Sequence, residues 1–211
     1  MELAALITPA EDFIEREVRT GRDGFIAVGT TEGEAKALED EFPGIYADAW
    51  TALEPEMRRY AKQQHPQLVE RLARLFEKLL TPTEMAAVRT FYVTPTGQRI
   101  LRTMYQNLDV SPMVNQIIAD PEAKLSAETI AATQRGARAK VEAETGPADL
   151  GALNALMKVV PLAKMTALGE GVQALTAEFA NEEDAEFDAR IEKIATDAME
   201  QYIAQRSPSG G

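Results

Sequence analysis

Apolar side chains recur along this chain at three- and four-residue intervals, the spacing that gathers them on one face of an α-helix. Leu68, Leu72, Leu75, Phe76 and Leu79 form one stripe, and Ile100, Leu101, Met104 and Leu108 a second. Leu150, Leu153, Met157 and Val160 form a third, followed by Met165, Leu168, Val172, Leu175 and Phe179, then Phe187, Ile191, Ile194, Ala198 and Tyr202. Strand-like alternation is confined to GFIAVGTT, residues 24–31. A strand without a partner is not stable, so this run reads as a loop or part of a bent helix. The pattern predicts helices over 9–19, 32–42, 44–64 with a bend at Pro55, 66–80, 82–93, 95–108, 112–119, 127–144, 148–160, 162–180 and 182–205. That is an all-α fold, a multi-helix bundle of about ten short antiparallel helices with no significant β-sheet.

The polar punctuation agrees. A hydroxyl or carboxylate side chain precedes proline at Thr8-Pro9, Thr81-Pro82, Thr94-Pro95, Ser111-Pro112 and Asp120-Pro121. Such a side chain accepts a hydrogen bond from an orphan N–H of the first helical turn. Proline in the next position loses nothing, because its missing N–H had no partner there. Thr8 with Glu11 and Thr81 with Glu84 have the spacing of full capping boxes, in which the acid reaches back to the cap residue's N–H. Thr31 with Glu34 and Asn181 with Asp184 repeat that spacing without proline. The turn-rich AETGPADLG, residues 143–151, marks a joint between an N-terminal helical region, 1–145, and C-terminal helices, 146–206, that pack on it. SPSGG, residues 207–211, reads as a disordered tail.

In the stretch 81–101, Thr-Pro-Thr occurs twice, at 81–83 and at 94–96. Pro95 cannot donate to the carbonyl of Phe91, and its ring crowds that carbonyl. Thr94, preceding proline, is pushed out of the α region. One helix therefore stops near Val93, and a second starts at Pro95 with Thr94 as its cap. Leu80 and Met85 flank the first cap as a hydrophobic staple. Gly97, one turn into the second helix, is a poor helix former. Its use is close approach by a neighbour, with Phe91 and Tyr92 as candidates.

These residues resemble a known pattern. Leu80, Thr81, Glu84, Phe91, Tyr92, Pro95, Gly97 and Gln98 match, in type and spacing, the bacterial domain-of-unknown-function family 2059, with Thr94 where serine is the more familiar residue. The resemblance covers about residues 60–110. It implies an all-helical fold and, because members commonly carry export signals, a periplasmic home; this chain shows no intact signal, and a cytoplasmic protein is the alternative. The family offers no established activity to carry over. Thr81, Glu84, Phe91, Tyr92, Thr94, Pro95, Gly97 and Gln98 are expected to be structural residues.

Composition narrows the chemistry. With no cysteine, disulfides, thiolate catalysis and zinc–thiolate sites are excluded. A single histidine, His65, excludes His-pair metal motifs and reads as a solvated residue at a helix end. No apolar run is long enough to span a bilayer. The net charge of −12 argues against non-specific nucleic-acid binding. The charge is uneven: residues 57–108 are basic while both flanks are acidic, so acidic helices are expected beside basic ones. Arg71, Arg74 and Lys78 share a helix face opposite the leucines, a polar outer surface or a docking face for an anionic partner. Glu84 with Gln98 and Arg99 could form a polar cluster, but capping already explains Glu84. The acidic run 178–193 lacks the glycine that a calcium loop needs at its turn. No phosphate loop, nucleotide fingerprint or nucleophile elbow appears.

No catalytic residue, cofactor or metal ligand is therefore assigned. The expected function is a non-enzymatic helical binding protein of the bacterial envelope that engages another protein or itself. One alternative is a carrier of an apolar or amphipathic small molecule in an inter-helix cleft, motivated by scattered methionines and the Phe91-Tyr92 pair. A hydrolase using Glu84 or His65 is the remote one.

Overall fold

A computed structural model describes residues 1–31, 33–120 and 123–206. The tail expected at 207–211 and the proline of the Asp120-Pro121 signal lie outside the described residues. Among the described residues there are eleven helices and no strand: α1 (Glu2–Ile7), α2 (Ala10–Val28), α3 (Glu34–Glu41), α4 (Ile45–Leu79), α5 (Pro82–Tyr92), α6 (Pro95–Gln106), α7 (Ser111–Ala119), α8 (Ala127–Glu144), α9 (Pro147–Met157), α10 (Leu162–Ala180) and α11 (Ala185–Arg206). The fold is all-α, as the periodicity predicts.

The chain divides into two units that interleave in sequence. The first holds residues 1–13, 64–113 and 124–182; the second holds 14–63, 114–123 and 183–211. The turn-rich joint near Gly146 falls inside the first unit, between α8 and α9.

In the first unit the leucine stripe of α4 is buried as its spacing requires. Leu68, Leu72 and Phe76 are 3%, 3% and 1% exposed. Burial of each such side chain contributes about 1.5–3 kcal/mol. Val88 and Phe91 of α5, Ile130 and Ala137 of α8 and Leu168 of α10 are also buried in this unit. The contacts α6 with α8, α8 with α10, and α5 with α6, α1 and α9 tie the unit together. In the second unit, Val18, Trp50 and Leu53 form a core against Ile191 and Ile194 of α11. Ile45, Tyr46 and Tyr202 form another against Leu38 and Phe42. Gly44, at φ +88°, starts α4 in a backbone state that favours glycine. Its N–H donates to Glu39 Oε1 at 2.6 Å.

Several expectations need correction. Of GFIAVGTT, residues 24–28 are not a loop but part of a helix, since α2 continues to Val28. Thr31 does not cap α3; its hydroxyl donates back to the carbonyl of Ala27, and Gly33 occupies the cap position. Asn181 does not cap α11 either. It closes α10, and its amide exchanges two hydrogen bonds with the backbone of Leu125, while Asp184 Oδ1 accepts from the N–H of Phe187. Residues 44–64 and 66–80 are one helix, α4, passing through Pro55 and Pro66 without a break. Each interior proline costs about 3 kcal/mol. Burial of Trp50 and Leu53 near one, and of Leu68 and Leu72 near the other, offsets that cost. Finally, the stripe Leu150, Leu153, Met157, Val160 is only half inside: Val160 is fully buried, but Leu150 is 52% and Met157 43% exposed.

Candidate functional site

The double Thr-Pro-Thr stretch folds as two capped helices. At the first, the Thr81 hydroxyl accepts from the N–H of Glu84 at 3.3 Å, and Glu84 Oε2 accepts from the N–H of Thr81 at 2.8 Å. Leu80, at the staple position, is 4% exposed. At the second, α5 ends at Tyr92, and the Thr94 hydroxyl accepts from the N–H of Gly97 at 3.1 Å. The same hydroxyl donates to the carbonyl of Phe91 at 2.6 Å, supplying a partner for the carbonyl that Pro95 cannot serve. Gln98 Nε2 donates to the carbonyl of Tyr92, also at 2.6 Å. Gly97 is buried in this elbow. A Cβ there would lie 2.6 Å from Tyr92 Cα, and closer still to the carbonyl oxygen of Phe91.

Two carboxylates anchor the elbow region, and each does two tasks. Glu84, 8% exposed, completes its capping box and also receives Lys164 Nζ at 2.8 and 2.6 Å. The Lys164 ammonium, then the Thr81 N–H, hold its carboxyl down to about 2. Asp149, at the third position of α9, accepts from the N–H of Gly146 at 2.9 Å and from the Thr96 hydroxyl at 2.9 Å, and pairs with Arg99 Nη2 at 2.6 Å. The Gly146 N–H, then the Arg99 guanidinium, bring its carboxyl to about 2 as well. Lys164 follows α9 and sits at the start of α5, while Asp149 begins α9 and sits at the start of α6. The two pairs therefore tie the start of α10 to the start of α5 and the start of α9 to the start of α6.

The structure separates the expected cluster of Glu84, Gln98 and Arg99. Glu84 meets Lys164, Arg99 meets Asp149, and Gln98 binds backbone. Sequence reasoning missed Asp149 and Lys164. Asp149 carried the same signal as Glu84, an acid at the third helical position after Gly146-Pro147, whereas nothing local marked Lys164. His65 is not a solvated helix-end residue. It lies within α4, half-buried, with Nε2 2.8 Å from the carbonyl of Thr8 and its ring 5.5 Å from that of Phe13. Tyr105 donates to the carbonyl of Ile7, so both carbonyls at the end of α1 are held by side chains. Burial, with Tyr105 close by, pushes the Tyr92 phenol up.

The basic middle is met by acidic residues from both flanks. Arg58 pairs with Glu15, Arg59 with Glu56, Arg71 with Glu182 and Arg89 with Glu2. Arg71 also lies over the Phe179 ring, 5.1 Å from its centroid. Among the described residues no group of three or more His, Asp or Glu is arranged to hold a metal ion. No helix there is long and apolar enough to cross a membrane.

These features define an all-α protein whose distinctive sequence motif builds a capped, ion-paired helical elbow. Its two carboxylates, Glu84 and Asp149, each accept from backbone and side-chain donors. Residues 66–121 match the model of the family described as an uncharacterized protein conserved in bacteria, DUF2059. The match runs from inside α4 to just beyond α7 and contains the whole elbow. No curated protein and no solved structure matches the chain.

Proposed function

We propose that this chain is a binding module of the bacterial envelope that works through a protein contact rather than by catalysis. The observation that carries the reading is a short stretch of the first unit rich in exposed apolar side chains. Leu150, Met157, Val159 and Leu162, within thirteen residues of chain, are 52%, 43%, 42% and 67% exposed. Exposed apolar residues clustered in this way mark interaction sites. The state of the carboxylates supports the same reading. Glu84 and Asp149, each held near 2, are ionised at neutral pH and have their oxygens engaged, which suits neither for proton transfer to a substrate.

Proximity labelling in a bacterium that encodes the protein tests this, with the tagged wild type compared with Leu162→Glu. Labelled envelope proteins lost in the variant are the expected result; an identical set for both would refute the reading. Fractionation of the natively encoded protein tests the periplasmic placement, which recovery in the cytoplasm would overturn.

A further inference from the structure

We infer that the place where α1 lies is a seat for a short helical peptide of a partner protein, with α1 as its tethered occupant. The inference goes beyond the function proposed above, because it concerns a covered surface of the first unit rather than the exposed stretch near Leu162.

Three helices build the seat, and each supplies one polar tie. Tyr105 of α6 donates its phenolic O–H to the carbonyl of Ile7 at 2.6 Å. His65 of α4 places Nε2 2.8 Å from the carbonyl of Thr8. Arg89 of α5 pairs with Glu2 at 3.2 Å. The first two ties take up carbonyls of the kind that a helix end leaves without an internal partner. Between the ties, Leu3 is 7% exposed and Ala4 0%. Ala4 is wholly enclosed, so a larger or charged side chain is shut out there, whereas Ala5 is exposed. The seat therefore reads a pattern: an acidic residue, a leucine and a small residue in succession, then a chain break that leaves two carbonyls to be captured. Grooves that receive helices recognise them by short-spaced anchors of this sort.

α1 brings little stability of its own. It has 6 residues, while isolated helices shorter than about 12–15 residues are marginal in water. No side chain caps its start. Its ion pair joins groups that are 56% and 79% exposed, and a pair so exposed contributes little. The helical form of α1 is thus imposed by the seat. Nor does α2 depend on it. Thr8, at φ −130° and ψ 71°, lies outside the helical region, and Pro9 has no N–H with which to extend the ladder of α1. The ladder of α2 starts from the Pro9 carbonyl, which accepts from the Phe13 N–H at 3.0 Å. α1 can lift about this joint without costing α2 a hydrogen bond. The walls keep their own supports, with α5 capped by Thr81 and α6 by Thr94. Lifting α1 uncovers a formed surface. Because α1 is tethered, it competes at high effective concentration, and a partner peptide enters when α1 is weakened or outmatched.

The test is fluorescence polarisation with a labelled peptide of residues 1–9, MELAALITP, added to the full chain. Ala4→Glu in the chain evicts α1, because a carboxylate has no place in an enclosed apolar site. The peptide should bind the Ala4→Glu chain about ten times more tightly than wild type, or more, through loss of the tethered competitor. A peptide that itself carries A4E should not bind. The Arg89 side chain is exposed, so Arg89→Glu leaves folding intact; added to Ala4→Glu, it should weaken the peptide and favour one carrying E2K. Hydrogen exchange of the wild type needs no variant. Its amides from Ala5 to Thr8 should exchange about ten times faster than those of Val88 and Phe91, or more, because α1 opens locally. Equal protection of α1 and α5, no peptide binding to a folded Ala4→Glu chain, or binding indifferent to A4E or to Arg89 would each overturn the inference. So would a wild-type chain that dimerises on concentration and loses the dimer in Ala4→Glu, which would give the seat to α1 of a second copy. None of these readouts involves Leu162. Failure here leaves the proposed function standing, and identical labelling by wild type and Leu162→Glu leaves this inference standing.

Discussion

Gly97→Ala sets two effects of opposite sign against each other. In a helix interior, alanine is favoured over glycine by up to about 1 kcal/mol. Against that, the new methyl would sit 2.6 Å from Tyr92 Cα, about 1 Å inside the ordinary contact distance of 3.5–4.0 Å. The crowding atoms are backbone, so no rotamer change relieves them. They are also held in place: the Phe91 carbonyl by Thr94, the Tyr92 carbonyl by Gln98 and the Gly97 N–H by Thr94. Overpacking of this kind costs about 1–3 kcal/mol and sometimes more. The steric effect therefore wins, and the variant loses about 1–2 kcal/mol of stability. Gly136→Ala is the matched control. It lies on the exposed side of α8 with nothing within 4 Å of its Cβ position, so the propensity gain is unopposed and the variant gains about 0.5–1 kcal/mol. Urea unfolding followed by far-UV circular dichroism measures both. Trp50 fluorescence, reporting on the second unit, shows whether the loss from Gly97→Ala spreads beyond the first. A Gly97→Ala variant as stable as wild type, or a Gly136→Ala variant less stable than it, would refute the close-packing account of the elbow.

Three further outcomes are expected. Thr94→Ala removes the cap of α6 and the donor to the Phe91 carbonyl, and should cost about 1–2 kcal/mol in the same urea assay. Glu84, Asp149 and Glu56 each have a folded-state pKa of about 2, below the ordinary 4.5 or 3.8. Their stabilisation is thus fully present above about pH 4.5 and is lost as pH falls toward 2. Melting temperature recorded from pH 7 to 2 should drop through that window, and Lys164→Met should reduce the drop by weakening what holds Glu84 ionised. Trp50 is 5% exposed and its indole N–H has no hydrogen-bond partner, so Trp50→Phe removes an unmet donor along with some packing. The two largely cancel, and a change under about 1 kcal/mol by circular dichroism is expected, against about 3–5 kcal/mol for Phe76→Ala.

What could be read in advance was whatever local physics decides. The helix break at Pro95 was legible because a proline, a preceding threonine and a steric rule all act within four residues. The capping box at Thr81 was legible for the same reason, and so was the burial of Leu68, Leu72 and Phe76. What escaped was set by partners distant in sequence. Lys164 reaches Glu84 across eighty positions, and His65 reaches the Thr8 carbonyl across fifty-seven. The unbroken passage of α4 through Pro55 and Pro66 escaped too, because the local rule was right about the cost and blind to the burial that offsets it. Thr31 and Asn181 had the right spacing for caps, but each found a different partner nearby or elsewhere in the fold.

The α9 stripe belongs to a different category. Its spacing identified Leu150, Leu153, Met157 and Val160 as one apolar face, and the chain buries only part of it. Hydrophobic periodicity specifies that a face is suited to leaving water; it does not specify what covers that face. Elsewhere in this protein the cover is another helix of the same chain, and the prediction and the structure coincide. On α9 Asp149 pairs with Arg99 near the start of the helix, and Leu156 lies inward while Leu150 and Met157 lie outward. A helix merely short of apolar partners could rotate to hide more of its surface. This one is held at its start by Asp149, which pairs with Arg99 and accepts from the Thr96 hydroxyl, and it leaves Leu150 and Met157 exposed.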